Sequence, residues 1–342
     1  MKGRIWTAAV GLAAVAALIA VPAAMAAYMS PKLEVTQTAT GVVVKASLDP
    51  NDDPTAAVVI LAPAGTQLTT TQAPGTVLGP VKAIVKALDL AGADLPLDGQ
   101  LVVAAPGQVP AATQQGCIGT AAPLATWVMV LSAAGQTLTV PTYLMSTAGT
   151  GFAALSPAFI GICLPPPDVP VGTPGRATFG AKVYSAELAI NGVFSQVATG
   201  AWISSWVPYT PGAGTPNPAG AVVSPAAVAP GAVTISAKRS GRGAIVTGSV
   251  TQAGQPRGGA IVTVSGGSVK SKLTTRKRVR VSASGKFTAK FAVGTFFRAE
   301  AAAAGAAAPP LCAQLQPALG SVPCVNPTVN GFAVKSAVVR KK

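Results

Sequence analysis

The stretch that decides the fold runs from Ala244 to Ala301 and begins AIVTGSVTQAGQPRGGAIVTVSGG, residues 244–267. A basic segment follows, and the stretch closes with VSASGKFTAKFAVGTFFRAEA, residues 281–301. Apolar and polar residues alternate in short runs, and Gly or Pro separates the runs. This is the pattern of antiparallel β-strands joined by turns. The sequence therefore predicts an all-β domain here.

The basic segment and the strand after it predict a hairpin with one apolar face and one cationic face, since alternate residues of a strand face opposite sides. The positions expected to face the core are Val279, Val281, Ala283, Phe287, Ala289, Phe291 and Val293. Residues 284–286 would form the loop, because an odd loop lets the two apolar faces coincide. This register sets Arg280 directly opposite Lys290.

The candidate binding site is the cationic side of this hairpin. Its residues are Arg276, Lys277, Arg278, Arg280, Lys286 and Lys290. From Ala232 onward the chain has seventeen Lys and Arg against one acid, Glu300, whereas residues 28–231 have six against nine. Such an excess attracts polyanions, so we expect anionic cell-wall polymer, acidic polysaccharide, lipid headgroups or extracellular nucleic acid as partners. The alternative is a solvated charged face that keeps edge strands from aggregating.

The alternating strands of Ala244–Ala301 resemble bacterial surface modules of the carboxypeptidase-regulatory-like or immunoglobulin-like kind. That resemblance implies a β-sandwich on an exported protein and implies no reaction. Asp49–Gly65, the Cys117/Cys163 pair and the segment Trp202–Thr210 resemble uncharacterised exported proteins of actinobacterial type. This second resemblance implies a location and no activity.

Residues 1–26 are expected to be a cleaved secretory signal peptide. Lys2 and Arg4 give a positive start, residues 5–21 are apolar, and Ala24-Met25-Ala26 is a small-residue cleavage site. The alternative is an uncleaved transmembrane anchor. After cleavage we expect no integral membrane segment, so the mature protein would be secreted or lie at the cell surface.

Three parts are expected after the signal peptide: a disulfide-bonded β-domain at 27–207, a linker at 208–232 and a basic immunoglobulin-like β-sandwich at 233–342. Turn signals recurring about every ten residues indicate a sandwich or barrel-like β-domain for the first part, and we expect a β-sandwich there too. Residues 208–230 are rich in Pro, Gly and Ala, which is typical of a linker; an irregular strand connection packed on the first domain is the alternative. Residues 80–90 fit a helix or a strand, and their strand-like surroundings favour a strand.

Four cysteines occur, at positions 117, 163, 312 and 324. An even number in an exported protein indicates disulfides, and three pairings are possible. We favour Cys117–Cys163 and Cys312–Cys324, because each pair then stays within one predicted domain. A zinc site formed by the four thiolates is the alternative, but the paired Cys-x-x-Cys spacing is absent.

The sequence contains no histidine, which excludes Ser-His-Asp and Cys-His catalysis and His-ligated metals. Asp49–Asp53 resembles the start of a calcium loop, but Pro54 replaces the required glycine and Ile60 the bidentate acid. We therefore expect a polar turn there, no metal, no cofactor, no catalytic residues and no enzymatic activity. The remaining enzymatic alternative is a pair of carboxylates among the nine acids of the first domain.

Four aromatic residues are candidates for a carbohydrate-stacking platform, with a core role as the alternative. They are Trp127, Trp202, Trp206 and Tyr209. Because Phe287 and Phe291 are expected to face the core, sequence-specific nucleic-acid recognition by base stacking is not expected. The sequence thus predicts a non-enzymatic structural or adhesive protein of the cell surface. The alternative is a binding module for an anionic polymer or carbohydrate, acting through the basic domain.

Overall fold

The computed structural model describes residues 28, 30–38, 40–133, 135–150, 152–198, 200–228, 231–252, 255–307 and 310–342. The predicted signal peptide, residues 1–26, lies outside these residues. The chain forms two compact units. Of the described residues, unit 1 comprises those up to Glu34 with Gly41–Val228 and Ala307–Thr328, and unit 2 comprises those within Val35–Thr40, Ala229–Ala306 and Val329–Lys342.

Up to residue 228, the described residues form thirteen strands and one short α-helix. They are β1 (Lys32–Gln37), β2 (Gly41–Ser47), β3 (Thr55–Leu61), β4 (Gln67–Leu68), β5 (Val77–Ala87), β6 (Ala93–Val103), α1 (Ala111–Ile118), β7 (Ala125–Ala133), β8 (Gln136–Ser146), β9 (Ala158–Cys163), β10 (Ala181–Asn191), β11 (Phe194–Gln196), β12 (Gly200–Pro208) and β13 (Val222–Val228).

Ten of these strands form one antiparallel sheet in unit 1, in the order β13–β12–β3–β9–β8–β7–β6–β5–β10–β2. The ambiguous segment at 80–90 lies mostly in β5 and is a strand, as favoured. Val81, Ala83 and Val85 are buried there, whereas Lys82 is exposed. This alternation with a period of two is what one buried sheet face produces.

The segment at 208–232, predicted as a linker, instead contains β13, which pairs along its length with β12. Val222, Val223 and Ala226 are at most 1% exposed. The alternative, a strand connection packed on the first domain, therefore describes most of this segment. Composition suggested a linker because the segment has no charge, but an uncharged Val- and Ala-rich strand is equally suited to burial.

From residue 231 onward, the part of the chain that the structure describes adds eleven strands and another α-helix. They are β14 (Gly231–Ser240), β15 (Gly243–Gln252), β16 (Gln255–Pro256), β17 (Ile261–Gly267), β18 (Thr275–Arg280), β19 (Lys286–Phe291), β20 (Phe296–Ala303), β21 (Ala306–Ala307), α2 (Pro310–Leu319), β22 (Thr328–Val329), β23 (Gly331–Lys335) and β24 (Val339–Arg340). The prediction of an all-β chain is thus confirmed in its broad form.

Unit 2 contains two sheets that share one core, and their strands are antiparallel except where the end of β1 pairs in parallel with β23. The β15 sheet consists of β14, β15, β16 and β19. The β17 sheet has the order β18–β17–β20–β23, and β24 pairs with the start of β20. Val246 and Phe287 from the first sheet and Val264 and Phe297 from the second belong to one buried apolar cluster.

Most of the residues predicted to face this core do so. Val281, Phe287, Ala289 and Phe291 are at most 5% exposed, and Val279 packs against the cluster while half-buried. Two positions were predicted wrongly, because Ala283 is exposed and Val293 is 66% exposed. Both lie beyond the ends of β18 and β19, where the strict alternation of a strand no longer holds.

Two disulfides have the predicted pairing, Cys117–Cys163 and Cys312–Cys324. The first joins α1 to the end of β9, and the second ties α2 to the segment that follows it. The second was expected in the C-terminal domain, but Ala307–Thr328 belongs to unit 1. Leu319 and Val322, at most 8% exposed, are buried against Leu61, Ile203 and Val223 of unit 1, which explains this placement.

Helices form only a small part of the described structure. In the part of the chain that the structure describes, no helix combines the length and apolar character needed to cross a membrane.

Candidate polyanion-binding surface

The structure distributes the predicted site residues over two different sheets of unit 2. Four lie on β18, in the β17 sheet, and two lie on β19, in the β15 sheet. All six are exposed; they are Arg276, Lys277, Arg278, Arg280, Lys286 and Lys290.

The predicted hairpin register is therefore wrong. Arg280 lies opposite Ile261 on β17, and Lys290 lies opposite Ile245 on β15. After β18 the chain crosses from one sheet to the other, so that Val281 and Phe287 enter the shared core from different sheets. Local alternation fixes which way a side chain faces, but it does not determine which strand becomes the neighbour.

Three arginines of β18 form a row on the outer face of the β17 sheet. Arg276, Arg278 and Arg280 are alternate residues, so they share one face at intervals of about 7 Å along the strand. Arg298, two strands away on β20, and Lys335, three strands away on β23, point from the same face. We call these outward-facing basic residues the arginine face: Arg276, Arg278, Arg280, Arg298 and Lys335.

Sequence reasoning missed Arg298 and Lys335, because they reach this face through pairings between strands that are distant in the chain. The alternation of β20 was a usable signal, since Phe297 and Ala299 are fully buried and Arg298 lies between them. The pairing of β20 with β17 and β23 was not visible in the sequence.

The arginine face is poorly neutralised. Glu300 is the only acidic residue from Ala232 onward. Its Oε1 lies 3.1 Å from Nη2 of Arg298 and 3.2 Å from Nζ of Lys335. Within the described residues, Arg276, Arg278 and Arg280 take part in none of the ion pairs. Three neighbouring guanidinium groups repel one another, and a bound anion would relieve that repulsion.

The outer face of the β15 sheet has a different chemistry. Lys238, Lys286 and Lys290 surround a group of exposed hydroxyls. The hydroxyls of Thr234 and Ser249 lie 2.8 Å apart and those of Ser236 and Thr247 lie 3.0 Å apart, each pair hydrogen-bonded across the strands. We call this the lysine–hydroxyl face. It carries three of the positive charges of unit 2, which makes it a natural control for the arginine face.

Lys277 belongs to neither face. It alternates with the arginines, and its Nζ lies 5.7 Å from the centroid of the Phe291 ring. A cation at this distance over an aromatic face is attracted to it. Lys277 therefore contributes to the packing at the edge of the core as well as to the net charge.

The turn at 49–53 is held by hydrogen bonds within the protein. Oδ1 of Asp49 accepts from the Asn51 amide at 2.8 Å, and Oδ2 of Asp52 accepts from the Asp49 amide at 3.2 Å. The Lys182 ammonium donates to the carbonyl oxygens of Pro50, at 2.9 Å, and of Asp52. Burial lowers the pKa of Lys182, against the raising effect of the Asp52 carboxylate. Across the described residues, no group of three or more His, Cys, Asp or Glu could hold a metal ion.

The four aromatic residues considered for a carbohydrate platform are in the core. Trp127, Trp202, Trp206 and Tyr209 are at most 6% exposed. The indole N–H of Trp206 donates to Ser204 Oγ at 2.9 Å, and the Tyr209 hydroxyl donates to the Leu164 carbonyl at 2.6 Å. They offer no exposed ring for a sugar to stack on, so the interpretation as core anchors is the correct one.

Comparisons with known proteins identify no relative in sequence: no family model and no curated protein matches the chain. Among solved structures, 92% of the chain aligns with 74% of a tetra-tandem repeat from the extending region of a large adhesion protein, at 12% identity and a TM-score of 0.22. Dimeric latent PorU from Porphyromonas gingivalis aligns over 91% of this chain and 34% of its own, at 9% identity and a TM-score of 0.20. Similarities this low carry no argument, so the function is argued from the surface itself.

Proposed function

We propose that this is an exported, non-enzymatic adhesive protein whose basic C-terminal unit holds an anionic polymer on the arginine face. The observation that carries the proposal is the row formed by Arg276, Arg278 and Arg280, exposed on one strand and outside the ion pairs of the described residues. An anionic cell-wall polymer or an acidic polysaccharide presents repeated charges that suit such a row.

The use of arginine in this row favours polymer binding over a role as a merely solvated surface. Its planar guanidinium can donate two parallel hydrogen bonds to one phosphate or carboxylate, and it is less strongly hydrated than an ammonium group. A face built only for solubility has no need to place three arginines at alternate positions of one strand. We therefore assign polymer contact to the β17 sheet and a solvating role to the lysine–hydroxyl face.

The wider setting of the proposal rests on the disulfides and the fold. Disulfides persist in oxidising compartments, which supports export to the cell surface or the medium. The two sheets of unit 2, facing each other across one core, support a β-sandwich of the immunoglobulin-like kind. The absence of histidine from the sequence supports a non-enzymatic role.

The test compares two triple variants with equal net charge. Arg276→Ser/Arg278→Ser/Arg280→Ser removes the row, and Lys238→Ser/Lys286→Ser/Lys290→Ser removes the same charge from the opposite sheet. We expect the first to lose retention on heparin and long-chain polyphosphate at moderate salt, and to show a salt dependence weaker by about three released counterions. The second should elute close to the wild type. Equal losses in the two variants would mean that net charge alone governs retention, and would reject the arginine face.

A further inference from the structure

Unit 1 contains an apolar cavity of about 420 Å³ that is partly open to solvent. Strands from both ends of the ten-strand order contribute to its wall: Ala46 of β2 and Leu188 of β10 come from one end, and Val58 of β3 and Trp206 of β12 from the other. The sheet therefore wraps around the cavity. The volume lies within the range of small-molecule sites, about 300–1,000 Å³.

A row of alanines creates this space. Ala46 pairs with Ala186, and Ala186 pairs with Ala83, so three neighbouring strands present a methyl group at the same level. Leu97 continues the row on the next strand. All four residues line the cavity. A strand interior that must be filled by protein uses larger aliphatic side chains, so this row provides room for something else.

The chemistry of the wall selects for an uncharged ligand. Among the described residues that line the cavity, Arg176 is the single charged one. Its Nη1 and Nη2 each donate to Asp89 at 2.7 Å, and its Nε donates to the Val169 carbonyl at 2.7 Å. The Thr55 hydroxyl in the wall accepts from the Tyr28 hydroxyl at 2.9 Å. The Arg176 guanidinium and the Thr55 hydroxyl thus have hydrogen-bond partners within the protein.

The lining is otherwise mostly aliphatic, and three of its exposed residues are threonines. They are Thr113, Thr139 and Thr178. Apolar cavities of about 150 Å³ stay dry and bind small apolar molecules such as benzene. A cavity almost three times as large, with hydroxyl groups where it reaches solvent, suits a longer aliphatic molecule with one polar end.

We propose that this cavity binds the hydrocarbon chain of a neutral amphiphile, such as a fatty alcohol or an acylglycerol. The aliphatic wall buries the chain, and the threonines at the exposed part of the lining receive the uncharged polar end. Charged lipids are disfavoured, because Asp89 already neutralises the one guanidinium in the wall and a carboxylate there would be left without a partner. This site is independent of the arginine face and lies in the other unit.

The test follows the fluorescence of N-phenyl-1-naphthylamine added to the full chain. We expect saturable enhancement with one probe per chain and displacement by hexadecanol, with hexadecanoate a weaker competitor. Ala83→Leu and Ala186→Leu fill the alanine row and should weaken probe binding about tenfold or more. Thr137→Leu adds the same side chain at an exposed position of β8 that is not part of the lining, and should bind the probe as the wild type does.

Folding of each variant is checked by circular dichroism and thermal unfolding, and Ala186→Val gives a smaller filling if a leucine is not tolerated. No probe enhancement in the wild type, or undiminished binding in a folded Ala186→Val or Ala83→Leu protein, would overturn the site. Stronger displacement by hexadecanoate than by hexadecanol would overturn the assignment of a neutral ligand.

Discussion

At the scale of single residues, the buried tyrosines of unit 1 couple its stability to alkaline pH. The Tyr209 hydroxyl donates to the Leu164 carbonyl in the core, and burial raises the pKa of Tyr209 from 10.0 to about 12. Burial also raises the pKa of Tyr28, whose hydroxyl donates to Thr55. The pKa of such a phenol is higher in the folded state than in the unfolded state. Its contribution to stability is therefore fully present below the pKa of the unfolded phenol and is lost as the pH rises toward the pKa of the folded one.

The Tyr209→Phe variant tests this coupling. At neutral pH the variant should lose about 1 kcal/mol, because the Leu164 carbonyl loses its partner. Above pH 10 the unfolded phenol of the wild type ionises while the folded one does not, so the wild type loses stability through the window from pH 10 to about 12. We expect the wild type to lose on the order of 1–2 kcal/mol more than the variant there. Urea unfolding at a series of pH values measures it, and parallel curves for the two proteins would contradict it.

At the scale of elements, the two disulfides hold helices that could not stand alone. The helix α2 has ten residues, carries Pro317 within it and is too short to be stable in isolation. Cys312–Cys324 closes a short loop across it, with a separation of 12, whereas Cys117–Cys163 spans 46. Both bonds lie in unit 1, so their contributions can be compared in one unfolding transition.

The paired variants Cys312→Ser/Cys324→Ser and Cys117→Ser/Cys163→Ser should both destabilise unit 1. Loop-closure entropy gives about 3 kcal/mol for the first pair and about 4 kcal/mol for the second. Urea denaturation under non-reducing conditions measures both, and a reduced wild-type sample should show the combined loss. If the Cys312→Ser/Cys324→Ser variant is as stable as the wild type, burial of Leu319 and Val322 alone holds α2 in place.

The strands also show which features of the fold can be predicted from the sequence. Alternation correctly placed Phe287, Ala289 and Phe291 in the core and the arginines of β18 in solvent, because facing depends on neighbours in the chain. Strand partners depend on distant segments, so the pairing of β18 with β17 and of β19 with β15 was not predictable. For the same reason the candidate site was predicted in part: the row on β18 was found, and Arg298 was not.

At the scale of the whole molecule, domain boundaries drawn from composition miss the return of the chain to unit 1. The predicted boundary near residue 232 would give an N-terminal fragment without Ala307–Thr328. That fragment would expose Leu61, Ile203 and Val223, which α2 and the following segment cover in the intact protein. Exposed apolar surface of this kind promotes aggregation.

A fragment comprising residues 28–228 should therefore bind a hydrophobic dye and unfold at a lower temperature than a second fragment that also carries residues 307–328 through a Gly/Ser linker. Burying Leu319 and Val322 again should restore about 3–6 kcal/mol, at about 1.5–3 kcal/mol for each side chain. Thermal unfolding and dye fluorescence of the two fragments provide the comparison. Indistinguishable fragments would show that unit 1 is complete without α2.

The return of the chain also imposes an order on folding during synthesis. Unit 1 needs residues on both sides of Ala229–Ala306. At about 5–20 residues per second, the hundred residues between Val228 and Thr328 take about 5–20 s to be made. During that interval the apolar surface of β3, β12 and β13 stays exposed, while the strands of residues 231–303 are being synthesised. The covering segment and its cysteines are the last part of unit 1 to be synthesised. A nascent chain therefore folds well only if this delay is shorter than the time needed to aggregate.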